Sequence, residues 1–576
     1  MTVDMDPRQQ TAVKWVSRRQ LLRVGLRGGI VMLLAACAPA APSAPPTAAP
    51  AGAPTPTQAA APAAKPTTSA PAAPAPTVAP TVAAAVKPTS IGAAASAGQP
   101  KPGGTLRVAH AGTPRQLDPA KQISGDEYMI TLGVYDTLVQ FDKDLSLKPQ
   151  LASSWETSQD LKTWTFKLQS GVKFHHGKAL DANDVVMTIK RVLDPATGSV
   201  LRSSLTMIEA IEAPDANTVK MTLKFPYAEL LAPLSSREAS ILPADRLDKV
   251  SQEPSGTGPF VFKEIVQGDH ALLTKNPNYW RPGLPYLDQL LLKEIPEAAT
   301  RVTALQNGEV DVMWQVPFEL MDQLKGNPDV VVDEITTESW DPLVMDLRKA
   351  PFDNVKVRQA IRYAINKDEL IKLSLFGHGV KVPIPLAPSN PAYPDNAPNI
   401  EQDYAKAKQL LADAGLANGF ETPLYIGVGR PQREREGVAL ADMLKPLNIT
   451  TNIQRMPIDK FFADIEGKGE FYTDGWFGDQ GTDMHLYPMF HSTGSWNNDV
   501  FHWTNKEVDD VLDKARQTSD LKQRKQLYAR LVEILNDDSP VAISWVANTA
   551  NAYRKNVQGM HTWPDLRIWA GEAWLG

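Results

Sequence analysis

The sequence predicts an α/β protein of two or more domains, preceded by a long segment that builds no core. Three observations carry this prediction. From Gly103 to Gly576 there are about 470 residues, too many for one ordinary hydrophobic core. Along that stretch, segments that alternate as strands interleave with segments of helical spacing. Before it, the composition turns to alanine, proline and threonine, with almost nothing large and apolar.

The N-terminal stretch has the order of parts of an export signal. Arg18 and Arg19 stand together, Lys14, Arg23 and Arg27 add basic charge, and an apolar run follows from Ile30 to Ala36. That run is far shorter than the roughly 20 residues needed to cross a hydrocarbon core, and Arg27 blocks its extension backwards. SRRQLL resembles a twin-arginine export signal. LAAC, residues 34 to 37, resembles the bacterial lipobox, in which the cysteine is diacylated and becomes the first residue of the mature chain. Cys37 is the only cysteine of the 576 residues, so an internal disulfide and a multi-thiolate zinc site are both excluded. Residues 1–36 are thus expected to be a lipoprotein signal peptide, with Arg18 and Arg19 as the export pair and Cys37 as the lipid attachment point.

Residues 37–102 are expected to form a disordered tether. Positions 38–102 hold 16 of the 48 prolines and only three charged residues, Lys65, Lys87 and Lys101. Such a segment cannot bury enough surface to offset chain entropy. Fully extended at about 3.1 Å per residue it reaches roughly 200 Å. Charge separates the tether from the body. Taking +4 for residues 1–36 and +3 for the tether from the formal −6 leaves about −13 on residues 103–576, which disfavours nucleic acid as a partner.

Within the body, TLRVAHA (105–111) alternates as a strand, and TWTFKLQSGVKF (163–174) reads as a strand pair around Ser170 and Gly171. DANDVVMTIKRVL (181–193) has an acidic start and helical spacing, and TVKMTLKF (218–225) is a further strand. TRVTALQNGEVDVMW (300–314) reads as helix, glycine stop and strand. VKVRQAIRYAINKDELIKLSLFG (355–377) reads as one long amphipathic helical stretch, and DYAKAKQLLADAGL (403–416) as a second, capped by Asp403 and stopped at Gly415.

Six of these stretches also carry a family resemblance. Residues 147–195, GTGPFVFKE (256–264), KNPNYW (275–280), LQNGEVDV (305–312), FDNVKVRQAIRYAINKDELI (352–371) and YAKAKQLLADAG (404–415) occur in the order found in family 5 extracytoplasmic solute-binding proteins of ABC importers. This is the dipeptide and oligopeptide receptor family, and the resemblance covers essentially all of residues 103–576. It implies the class II periplasmic-binding-protein fold, with two α/β lobes, a hinge and a ligand cleft between them. The first lobe is expected over residues 103–344, the second over 345–540, with a return to the first over 541–576.

The resemblance further implies a monomeric receptor that takes peptides, needs no cofactor or metal and performs no catalysis. It delivers its ligand to ABC permease transmembrane subunits with their ATPase, on the extracytoplasmic side, anchored to the membrane by its lipid. In the peptide-binding members a tryptophan and, three residues on, an aspartate lie in the cleft, and the carboxylate receives the ligand's α-ammonium. The matching positions in WFGDQGTD are Trp476 and Asp479; the usual continuation soon afterwards is aspartate-proline, and here Asp483 is followed by Met484, without that proline. Beside Gly478 and Gly481, Asp479 also fits a turn that caps its own backbone. RPQRERE (430–436) supplies Arg430, Arg433 and Arg435 as candidate partners of a ligand carboxylate, with Arg433, the middle one, singled out, while its alternating Arg and Glu at a helix start read more readily as a solvated face.

His175 and His176 read as structural, and Trp496 and Trp503 as packing residues of the second lobe. SGTGPF (255–260) lacks the Lys and Ser/Thr of a phosphate loop and reads as a turn before a strand. Two alternatives stay open on the sequence: the same transport role for an oligosaccharide, opine or metal chelate, and a secreted lipoprotein hydrolase. The chain has no GxSxG elbow, no HExxH and no available cysteine nucleophile, which weakens the second.

Overall fold

Burial alternates along the strands as the sequence pattern requires. In Thr163–Leu168 the side chains of Trp164, Phe166 and Leu168 enter the core while their neighbours do not. The computed structural model describes residues 99–112, 114, 116–122, 125–142, 145–478 and 481–576, all within one compact unit. Arg18, Arg19, Cys37 and Asp479 lie outside the described residues.

The first lobe is built on an eight-stranded mixed sheet. Thr105–His110 lies at its centre, parallel to Gln289–Glu294 on one side and to Val312–Met313 on the other. His270–Lys275 and Phe260–Val266 extend the sheet at one edge, Trp545–Arg554 and Val330–Thr336 at the other. The turn at 255–259 that leads into Phe260–Val266 requires glycine. A Cβ on Gly256 would lie 2.0 Å from the Val134 carbonyl oxygen.

A four-stranded antiparallel sheet, in the order Ala152–Thr157, Thr163–Leu168, Thr218–Leu223 and Ile208–Asp215, forms the rest of this lobe. Helix Ala182–Leu193 covers it, with Val185, Ile189 and Val192 in the shared core. A reciprocal cap starts this helix: Asp181 accepts from the Asp184 N–H and Asp184 from that of Asp181.

Two expectations are corrected here. The second strand of the hairpin around Ser170 and Gly171 does not form. The Phe174 N–H donates to the Lys178 carbonyl, closing a tight turn that leaves only an isolated bridge between Lys173 and Ala179. Thr163–Leu168 pairs instead with Ala152–Thr157 and Thr218–Leu223. The long helical stretch of 355–377 is two helices, Val355–Ala364 and Lys367–Leu375. Asn366 divides them because its side chain accepts from the Glu369 N–H and starts the second helix as its cap.

The second lobe has a five-stranded sheet ordered Ile449–Pro457, Phe420–Val428, Phe471–Thr473, Leu343–Met345 and Val541–Ala542. Helices Val355–Ala364, Lys367–Leu375 and Pro431–Leu444 share one core with it. Helices Thr482–Phe490, Lys506–Arg516 and Leu521–Asp537 build another. The chain passes from the first sheet to the second between Thr336 and Leu343. It returns along Trp545–Arg554, a single strand that serves both lobes. Trp545, Val546 and Ala547 pair with Gly379–Lys381, and Asn548 onwards pairs with Val330–Thr336. This is the two-lobed α/β architecture expected of the chain.

Candidate functional site

At the passage between lobes, Trp340 and Trp476 face each other across a two-residue bridge. The Trp340 N–H donates to the Trp476 carbonyl at 3.1 Å, and the Trp476 N–H to that of Trp340 at 3.0 Å. Their rings lie 5.6 Å apart, and Trp476 also meets Trp496 and Phe501 edge-on. Both tryptophans are buried, so Trp476 is at once packing and wall. Trp503 is buried in the same core, with Trp496 against it.

Two adjoining cavities open beside this bridge. One, of about 350 Å³, is lined by Tyr128, Arg237 and Trp314 from the first lobe and by Arg430, Phe477 and Met484 from the second. The other, of about 280 Å³, runs along Phe318, Asp341, Arg433, Trp476 and Asn548. Gln315, Ser339, Arg430, Phe477 and Leu566 border both, so the two form one cleft with walls from both lobes. Phe477 is 68 % exposed, an unusual state for an aromatic side chain flanked by two cavities.

Most charged groups of the cleft are already matched. Asp126 lies 3.1 Å from His110 Nδ1 and accepts from the Gly112 N–H, and Asp565 pairs with Arg567. The Arg237 guanidinium lies 3.3 Å from the Tyr128 ring centroid and 3.2 Å from Glu238. Arg433 borders the second cavity, with its guanidinium turned into the protein. Its Nε donates to Asp341 Oδ1 at 3.0 Å and its Nη1 lies 3.5 Å from Asp474 Oδ1. Glu436 is buried beside them. Three buried carboxyls around one guanidinium cannot all ionise. Burial pushes the Asp474 carboxyl up to about 8, against the opposing pull of Arg433, and raises Asp341 and Glu436 as well. Asp474 Oδ2 has no hydrogen-bond partner among the described residues.

Arg430 differs from all of these. Its side chain makes no ion pair or hydrogen bond with the described residues, although it borders both cavities. It faces the open cleft, yet enough protein surrounds it that lost hydration, and then repulsion from Arg433, lower its pKa against the weaker attraction of Asp341. A cation so placed is stabilised by an anionic group entering the cleft.

Arg430 is one of the three arginines this segment offers, but the sequence reading singles out Arg433, although a signal favouring Arg430 was available. The signal was Pro431, a residue favoured at the first position of a helix. A helix starting there carries Arg433, Glu436, Leu440 and Leu444 on one buried stripe and leaves Arg430 just before it, at the cleft. The solvated-face reading of Arg433 therefore does not hold. Asp479 lies outside the described residues, and Gly478 before it lines the first cavity. His175 Nε2 lies 3.0 Å from the Gly258 carbonyl and His176 Nδ1 2.8 Å from Ser255 Oγ, in a turn away from the cleft.

Comparison with known proteins gives the same picture. The sequence profile of the bacterial extracellular solute-binding proteins, family 5 Middle, matches residues 146–498. The chain is 31 % identical over 464 residues to the glutathione-binding protein GsiB of Escherichia coli K12, covering 78 % of this chain and 90 % of that one. Among solved structures it is similar to the ABC transporter-associated periplasmic binding protein DppA of Helicobacter pylori in complex with the peptide STSA. That likeness has a TM-score of 0.69 and 30 % identity, over 82 % of this chain and 98 % of the other. It is also similar to AgaA of A. tumefaciens R10 in complex with agropinic acid, with a TM-score of 0.70 and 27 % identity, over 82 % and 99 % of the two chains.

Proposed function

The chain belongs to the family 5 bacterial extracellular solute-binding proteins, and from that premise we propose that it is a peptide receptor of an ABC importer. It captures a short peptide between its lobes, releases it unaltered to a membrane permease driven by an ATPase, and catalyses nothing. The observation that carries this reading is Arg430, the unmatched cation at the junction of the two cavities. It meets the peptide's terminal carboxylate. Asp479, three residues after Trp476, meets the α-ammonium, and Phe477 packs against the peptide's apolar parts. Arg433, held by Asp341, stiffens the wall from which Arg430 projects.

Cys37 carries the lipid that anchors the receptor outside the cytoplasmic membrane, after export directed by Arg18 and Arg19. An opine is the second reading with a specific observation behind it, because AgaA, the agropinic acid-bound protein, covers the same share of this chain. Mass spectrometry of whatever co-purifies after gentle denaturation, with isotope-labelled peptides added in a parallel sample, tests the proposal. Intact peptide recovered in stoichiometric amount supports it. Cleaved peptide identifies a hydrolase, and an opine or sugar in place of peptide overturns the ligand assignment.

A further inference from the structure

Outside the cleft, a second set of contacts joins the lobes. It is formed by the segment after strand Thr218–Leu223 in the first lobe and by three helix ends in the second. The Tyr227 hydroxyl donates to Asp483 Oδ2 at 2.9 Å. Glu229 Oε2 accepts from the Asp483 backbone N–H at 2.9 Å, and Glu229 Oε1 pairs with Arg524. The Ala228 N–H donates to the Arg516 carbonyl at 2.7 Å. Within the second lobe, Arg516 holds Asp483 by two bonds, at 3.2 and 2.8 Å, and its guanidinium lies 3.6 Å from the Tyr487 ring centroid.

Helix Thr482–Phe490 has no side-chain cap of its own, since Gly481 stands at the cap position. Glu229 supplies that cap from the opposite lobe, where the helix N-terminus favours a negative group. Tyr227, Glu229 and Asp483 are all buried, and none of the five side chains involved lines either cavity beside the Trp340–Trp476 bridge; Glu229 and Arg524 border a further cavity of about 290 Å³ that shares Phe141 and Ala232 with the first.

We propose that Tyr227 and Glu229 of the first lobe, with Asp483 and Arg524 of the second, form an interlobe clasp that favours the closed form through protein–protein contacts of its own. Opening leaves the Asp483–Arg516 pair intact, because both residues belong to the second lobe. It breaks the Tyr227, Ala228 and Glu229 contacts together. Contacts made only in the closed form shift the closure equilibrium by their own free energy, and a ligand that binds the closed form gains apparent affinity in proportion to its population. The four residues are thus positioning residues for capture.

The proposal rests on the receptor reading only in its consequence for affinity, and the closure itself is measured without ligand. Single-molecule energy transfer is recorded on the full chain carrying Cys37→Ser, with dyes on cysteines introduced at exposed Glu212 and exposed Lys408, one on each lobe. A hydrogen bond to a charged group contributes about 1.5–3 kcal/mol, so Tyr227→Phe shifts the ligand-free closed-to-open ratio towards open by about tenfold or more, and Glu229→Gln does likewise. Tyr227→Phe keeps the buried ring, so its thermal unfolding stays near that of the wild type and separates the clasp from a folding defect. A ligand-free wild type found only open, or a ratio unchanged in both variants, overturns the clasp. Neither result bears on whether the cleft takes a peptide.

Discussion

The most informative residues are two arginines three positions apart. Arg433 is enclosed with Asp341, Asp474 and Glu436, whereas Arg430 faces the cleft with no ion pair or hydrogen bond to the described residues. The enclosed cluster makes a pH prediction. In the unfolded chain the Asp474 carboxyl titrates near 4, as an ordinary aspartate does. In the folded chain burial holds it up to about 8. Folding therefore takes up a proton between about pH 4 and 8. The contribution to stability is complete below pH 4 and is lost as the pH rises through 8. Thermal unfolding should show a melting temperature that falls from pH 5 to pH 8, with a smaller fall in Asp474→Asn. A wild type that gains stability over that interval would show that Asp474 is ionised in the fold. Periodicity alone could have placed Arg433 on the buried stripe of its helix. Nothing in the sequence could have assigned it Asp341 and Asp474, which lie on other segments 92 and 41 residues away.

At the scale of elements, local chemistry was legible and long-range pairing was not. The cap at Asp403, the start at Asp181 and the left-handed stop at Gly308 all stand where side-chain chemistry puts them. Asn366 carries the same signal, but in the sequence it is embedded in an unbroken apolar period, so one helix was expected where two formed. One partner of Thr163–Leu168, Ala152–Thr157, is its neighbour in sequence, but the other, Thr218–Leu223, could not be read locally, because it lies beyond helix Ala182–Leu193. The capping box gives a direct check. Asp181→Ala should cost about 1 kcal/mol of stability in urea unfolding, through the loss of acceptors for the first N–H groups of the helix. Asp181→Asn should recover most of that loss, and a variant as stable as the wild type would mean the cap is redundant.

At the scale of the whole molecule, the two-lobed α/β fold was legible from motifs spread over the body. The cleft was not, since its cavities are bordered by residues as distant as Tyr128 and Leu566. Anchoring makes a prediction of its own. The wild type should partition into detergent and carry an acyl mass at its N-terminus, while Cys37→Ser should partition into buffer. A wild type found in buffer without acyl mass would dismiss the lipid. Capture of a peptide by both ends is tested most directly by calorimetry of three proteins, the wild type, Arg430→Gln and Asp479→Asn, each against a peptide in free, C-terminally amidated and N-acetylated form. Losing one partner of a hydrogen-bonded charge pair at the cleft costs about 2 kcal/mol or more, or about thirtyfold in Kd. Amidation should therefore weaken binding to the wild type and to Asp479→Asn but hardly to Arg430→Gln, and N-acetylation should show the reverse selectivity. If every loss simply adds, or if no peptide binds while a neutral sugar does, the cleft does not hold a peptide by its termini.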